Sequence, residues 1–244
     1  MSFNKLLKPK HEYNLIRLGK KNDGGYLVDR ESVVNSKVLI SLGINDDWSF
    51  EEHFLKLNPN VNIKCFDDKL DILFLIKKIV KQIFITDSFK KIFILISKIK
   101  NLLTYLNLKK KIKFIKKYIH YKDLHKILKK ESDNIFLKID IEGGEYRLLN
   151  EILSNQKKFN GVILEFHDCD LHINKIYNFI KSMKLKLIHI HGNNFSRTDL
   201  NGDPTVIELV FSKDPKIKKK ICILPNKLDM PCDPENKEIT LKFR

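Results

Sequence analysis

Alanine is absent from this 244-residue chain, and arginine occurs only as Arg17, Arg30, Arg147, Arg197 and Arg244. Lysine, isoleucine and asparagine abound instead, the bias of an AT-rich genome, so the net charge of +16 does not by itself call for a partner. Scarce arginine also weighs against nucleic acid, because arginine is the fork that grips phosphates and guanines. Four cysteines (Cys65, Cys169, Cys222 and Cys232) are too few and too scattered for a disulfide scaffold, and they lack the CxxC spacing of a zinc site. No apolar run approaches the roughly 18 residues that a spanning helix needs. The first residues, MSFNKLLKPK, show no apolar core followed by a cleavage site. A reduced, cytoplasmic protein is the resulting expectation. Also missing are GxGxxG, GxxxxGK[ST] and GxSxG, which makes an NAD fingerprint, a Walker-type NTPase and a hydrolase elbow poor fits.

What is present is a globular composition, 43% hydrophobic and 31% charged, long enough for one large α/β domain over residues 1–244. The positive charge is concentrated: Lys69 to Lys130 holds eighteen lysines against three acids. A solvated surface is the simplest reading of that stretch. Contact with anionic lipid, or with the phosphates of an activated substrate, is the alternative. Within it, at about 70–108, apolar clusters alternate with lysine pairs at spacings of three to four, which predicts a helical insertion of two or three amphipathic helices. Their apolar faces are expected to pack on the domain, with a homodimer interface or a peripheral membrane contact as the alternatives.

Short apolar runs mark the strands: Val38–Leu42, Val61–Phe66, Ile112–Ile119, Asn134–Ile141, Gly161–Phe166, Leu185–His191 and Thr205–Phe211. Helical patterns separate most of them, which argues for a doubly wound, mostly parallel sheet. The last two runs have no helical pattern between them and predict an antiparallel hairpin. From about residue 215 the proline-containing tail is expected to be irregular.

Ligands of an open α/β sheet bind beyond the carboxyl ends of its strands, and polar residues gather there. Gly43, Asn45, Asp46 and Asp47 follow the first strand and Asp67-Asp68 the second. Asp140 and Glu142 follow the fourth, Glu165, His167 and Asp168 the fifth, and His191 and Asn193 the sixth. A glycine after the first strand lets backbone approach a ligand, and an acid after the second is where a ribose is gripped. Asp140, Glu165 and His167 form a candidate set for Mn²⁺, Mg²⁺ or Fe²⁺, which take oxygen ligands and an imidazole. Without a metal, His167 or His191 is the candidate general base. Gly24-Gly25 signals a hairpin turn, with Gly25 a candidate piece of a backbone cradle for a cofactor.

LIRLGKKNDGGYLV, LISLGINDDWSFE, FLKIDIEGGEYRLL, GVILEFHD and LIHIHGNN, in that order, resemble the FkbM-like branch of S-adenosylmethionine-dependent methyltransferases. Lys138–Glu145 (KIDIEGGE) is the most specific piece, similar to that family's K-I-D-x-E-G-x-E signature. The resemblance runs from about Leu15 to Phe211 and leaves Leu70–Leu108 and the tail outside it. It implies a class I methyltransferase fold (Rossmann-like), with a seven-stranded, mostly parallel sheet whose last strand is antiparallel. By the family pattern Gly43 and its following loop, Asn45 and Asp47 included, hold the methionine part of the cofactor. Asp67 or Asp68 takes the ribose hydroxyls, and Asp140 lies beside the methyl donor. Asp46-Asp47-Trp48 stands where many such enzymes have a second glycine. The implied activity is O-methylation of a sugar hydroxyl, on a nucleotide-activated sugar for surface polysaccharide. An RNA methyltransferase and a non-catalytic cofactor-binding scaffold are the rival readings.

Overall fold

The structure, a computed structural model, describes residues 3–85 and 89–243. In chain order the elements are β1 (Glu12–Tyr13), β2 (Leu15–Leu18), β3 (Tyr26–Asp29), α1 (Arg30–Val34), β4 (Val38–Leu42), α2 (Ser49–Leu57) and β5 (Asn62–Asp67). There follow α3 (Ile72–Ile85), α4 (Phe89–Leu108), β6 (Ile112–Lys116), α5 (Tyr121–Lys130), β7 (Ile135–Ile139), α6 (Leu149–Ser154) and β8 (Phe159–Phe166). The series ends with α7 (Cys169–Ser182), β9 (Lys186–Gly192), β10 (Ile207–Ser212) and β11 (Ile217–Lys219).

Seven strands form one sheet in the order β6-β5-β4-β7-β8-β10-β9. Neighbours from β6 to β8 run parallel, and β10 is antiparallel to both β8 and β9. This is the class I methyltransferase arrangement, with the late hairpin that the missing crossover helix predicted. VLISL in β4 and IFLKI in β7 are buried along their whole length, as strands covered on both faces must be. On one face Ile40, Leu137, Leu164 and Leu209 pack with Leu124, Leu128, Ile152 and Phe179 of α5, α6 and α7. On the other, Leu39, Ile63, Phe136 and Ile163 meet Phe50 and Phe54 of α2 and Tyr26 and Leu27 of β3. Each fully buried phenylalanine contributes about 1.5–3 kcal/mol. The Gly24-Gly25 turn does close a hairpin, β2 against β3.

Two differences from expectation bear on function. The insertion holds two helices, α3 and α4, and most of its apolar side chains are exposed rather than packed on the domain: Leu73 is 63% exposed, Phe84 85% and Phe93 72%. Leu75, Tyr105 and Leu108 are buried against the domain, and half-buried Phe74 and Leu102 pack beside them. The tail is irregular apart from β11, which pairs with β1, yet it is anchored. Asn22 donates to the Pro231 carbonyl at 2.8 Å, and Asn194 donates to that of Asp233 at 3.0 Å. No helix among the described residues is long and apolar enough to cross a membrane.

Candidate functional site

Strand order reverses between β4 and β7, since β4 leads outward to β5 and β7 outward to β8. A crevice must open at their carboxyl ends. Gly43 sits at that point with φ 75°, and a Cβ there would lie 1.6 Å from the Asp140 carbonyl oxygen, so only glycine fits. Asp67 fastens the loop that follows. Its Oδ2 accepts from the Ile44 and Asn45 amides at 3.2 and 2.8 Å, and its Oδ1 accepts from Lys69 and Leu70 at 2.9 and 3.2 Å. One carboxylate thus ties the loops after β4 and β5 together. Asp47, just ahead of α2, accepts from the Ser49 amide at 3.0 Å and pairs with Lys20 at 3.0 Å. Non-glycine residues with positive φ stand after three neighbouring strands: Asn45 (46°), Glu142 (50°) and Asp168 (50°). Such conformations persist only where the surroundings impose them, and they concentrate at functional sites.

The crevice is a cavity of about 740 Å³, in the ordinary size range for small-molecule sites. At its floor the Tyr26 hydroxyl lies 3.3 Å from Asp140 Oδ2 and 3.2 Å from Glu165 Oε2, and Asn193 donates to Glu165 Oε1 at 3.0 Å. His167 presents Nε2 at 4.0 Å from both Asp140 Oδ1 and Glu165 Oε1. Its other nitrogen, Nδ1, lies 3.3 Å from Glu145 Oε1, which also accepts from the His167 amide at 2.7 Å. Lys138, buried under the rings of Tyr26 and Phe50, reaches the Gly43 carbonyl at 3.4 Å and Glu51 at 3.9 Å.

Burial raises the Asp140 carboxyl from 3.8 to about 6, with Lys138 and His167 pulling it down and Asp23 and Glu142 pushing it up. Glu165 goes well above the carboxylate range, through burial first and then the charges of Asp140 and Glu208. Burial works against a charge on His167, but Glu145, Asp140 and Glu142 outweigh it and raise its value. Lys138 is likewise raised by Glu51, Asp140 and other acids in spite of burial. The Tyr26 phenol, pushed well up by burial and by Asp140 and Glu165, keeps its proton and stays a donor. Titratable groups displaced toward neutrality in a cleft are the equipment of proton transfer. One ligand atom each from Asp140, Glu165 and His167 falls within 4.8 Å of the others. Two crowded acids with raised values are groups whose repulsion a divalent cation would relieve, so the set fits Mn²⁺ or Mg²⁺.

Of the residues singled out in the sequence, Gly43, Asn45, Asp46, Asp47, Asp67, Asp68, Asp140, Glu142, Glu165, His167 and Asn193 line the cavity. Asp168 does not, and Gly25 and His191 stand apart as well. Gly25 is replaced in the lining by Gly24, whose Cβ position would fall 2.4 Å from Asp47 Oδ2; Gly25 instead packs against Arg17 and the Lys20 carbonyl. His191 lies outside the cavity, because β10 enters between β8 and β9 and sets Glu208 between Glu165 and His191. His191 pairs with Glu208 at 3.2 Å and with Glu238 of the tail at 3.1 Å. Burial opposes its charge, but those acids push its value far up. Outside the cavity and held between an acid of the sheet and an acid of the tail, it clamps the tail. Of the two acids expected at a ribose, Asp67 holds four loop amides, and Asp67 and Asp68 both line the cavity.

Tyr26, Lys138 and Glu145 were not singled out by residue type or spacing. A lysine inside the apolar run IFLKI was the available signal, because an unpaired lysine has no place in a buried strand.

The chain matches no family model and no curated protein. Among solved structures, fibrillarin from Methanococcus jannaschii is 9% identical over 86% of both chains, with a TM-score of 0.40. A precorrin-6y C5,15-methyltransferase from Geobacter metallireducens is 9% identical over 75% of this chain and 84% of that one, at 0.39. An O-methyltransferase from Bacillus cereus, solved in complex with SAH, is 10% identical over 75% and 77%, at 0.39. Similarity this distant carries neither substrate nor chemistry to this chain, whose fold is fixed by its own strand order.

Proposed function

We propose that the chain is an S-adenosylmethionine-dependent O-methyltransferase of FkbM-like type, acting on a sugar hydroxyl of a nucleotide-activated sugar for surface polysaccharide. The observation that carries this reading is the convergence of the KIDIEGGE residues on one cavity. Lys138 reaches the Gly43 carbonyl, Asp140 lines the floor, and Glu145 holds His167. The crevice can hold the cofactor, with the loop from Gly43 to Asp47 along one side and Asp68 within reach of ribose hydroxyls.

Bound there, S-adenosylmethionine supplies an electrophilic methyl group; a divalent cation at Asp140, Glu165 and His167 would supply acidity to an acceptor hydroxyl. The chain's own work is proton handling and alignment. Where no cation is bound, Asp140, ionised above about pH 6, accepts the hydroxyl proton. His167, oriented by Glu145 through Nδ1, presents Nε2 at 4.0 Å from the same carboxylate, as a ligand when a cation is bound and as a neighbour of Asp140 when none is. Tyr26 and Asn193 fix Glu165, so the floor keeps its shape as the acceptor aligns.

The test is calorimetric titration with S-adenosylhomocysteine, with and without Mn²⁺, followed by labelled methyl transfer to a panel of nucleotide sugars. Micromolar binding, tightened by Mn²⁺, is expected. No binding under either condition refutes the methyltransferase reading; binding without transfer to any sugar refutes the sugar.

A further inference from the structure

The helical hairpin α3–α4 is built unlike the rest of the chain. On α3, Ile72, Leu73, Ile76, Val80, Ile83 and Phe84 are all exposed and fall on one face at helical spacing. On α4, Ile92, Ile96, Ile99 and Leu103 make a second exposed stripe. Lys77 and Lys81 border the first stripe, and Lys98 and Lys100 border the second. Contiguous apolar area of this kind is rare on a protein that meets only water.

We infer that this hairpin docks on an anionic lipid bilayer, with its apolar stripes in the headgroup boundary and its lysines against the lipid charges. A second copy of the chain fits less well. Asp71, Asp87 and Asp123 are the acids between Lys69 and Lys130, so two such surfaces would set lysine against lysine. An anionic bilayer answers both features at once, because it takes apolar side chains and attracts the basic residues around them. The opposite faces of the two helices hold the loop that rims the cavity. Lys78 of α3 pairs with Asp46 at 2.9 Å and donates to Asn45 Oδ1 at 3.1 Å, while Asn101 of α4 donates to the Asp46 carbonyl at 3.2 Å. A docked hairpin is therefore tied to the rim of the cavity. The docking itself does not rest on the methyl-transfer reading.

Cosedimentation of the full chain with vesicles tests it, comparing phosphatidylserine–phosphatidylcholine mixtures with phosphatidylcholine alone. Binding to the anionic vesicles is expected, weaker by at least about tenfold on the neutral ones. The pair Phe84→Ser and Phe93→Ser should lower partitioning by roughly a hundredfold. The pair Lys77→Gln and Lys81→Gln should lower it about tenfold or more. Both doubles should keep the wild-type circular dichroism spectrum and melting temperature, since neither touches the sheet. Failure of the wild type to bind anionic vesicles overturns the inference, as does equal binding to neutral ones. A wild-type dimer by light scattering that becomes a monomer in the phenylalanine double would overturn it in favour of a second copy. None of these outcomes depends on S-adenosylhomocysteine binding, so the two readings fail separately.

Discussion

Replacing Asp140 with asparagine should stabilise the protein at neutral pH while abolishing methyl transfer. The carboxyl rises from 3.8 to about 6 in the folded chain, because burial and the neighbouring acids outweigh Lys138 and His167. Each pH unit corresponds to about 1.4 kcal/mol, so keeping the carboxylate ionised in place costs up to ~3 kcal/mol. The side chain is 29% exposed, and water in the cavity screens part of this, leaving ~1–2 kcal/mol. The sign follows from the direction of the shift. A carboxyl whose folded value lies above its unfolded value contributes its stability below about pH 4, and that contribution is lost as the pH rises through about 6. Asparagine keeps the shape and carries no charge, so Asp140→Asn should exceed the wild type in urea melts at pH 8. The gap should close toward pH 4. The melts need a chelator, since a bound cation would relieve the same repulsion. A variant no more stable at pH 8, or a gap that does not shrink on acidification, would refute the placing of Asp140 among crowded buried acids.

Two further outcomes test the frame of the site. Gly43→Ala should lose S-adenosylhomocysteine binding in calorimetry and destabilise the fold by ~2–4 kcal/mol, given its φ of 75° and the 1.6 Å approach to Asp140. His191→Gln should lower stability in denaturant by about 3 kcal/mol by unpairing buried acids and expose the tail to protease, yet leave S-adenosylhomocysteine affinity unchanged. Lost affinity in that variant would return His191 to the site.

The sheet was legible because fully buried parallel strands must be apolar throughout, and VLISL, NIFLKIDI and GVILEF give way in turn to glycine, glutamate and a histidine–aspartate pair. The crevice followed from the rule that ligands gather at strand ends, which brought Gly43, Asp140, Glu165 and His167 to one place. His191 carried the same local signature as His167, a histidine closing an apolar strand. What separates them is the entry of β10 between β8 and β9, a non-local event without a trace in either strand. Tyr26 reaches the floor from the β2–β3 hairpin, which local pattern reveals as a turn but cannot aim. Apolar spacing alone shows the hairpin helices to be amphipathic. Their exposure has no such trace, because an apolar face looks the same in sequence whether it meets a core or a bilayer.

The place where that hairpin enters the chain has a consequence for how such proteins diversify. β5 and β6 are adjacent parallel strands, and a parallel pair asks of its connection only that it cross over and return. Whatever lies past the anchors at Lys78 and Asn101 can therefore lengthen, shorten or be exchanged while the strands and cavity keep their register. The distal half of α3–α4 is an interchangeable attachment, and evolution, or an engineer, could redirect the protein to another surface there without rebuilding its chemistry.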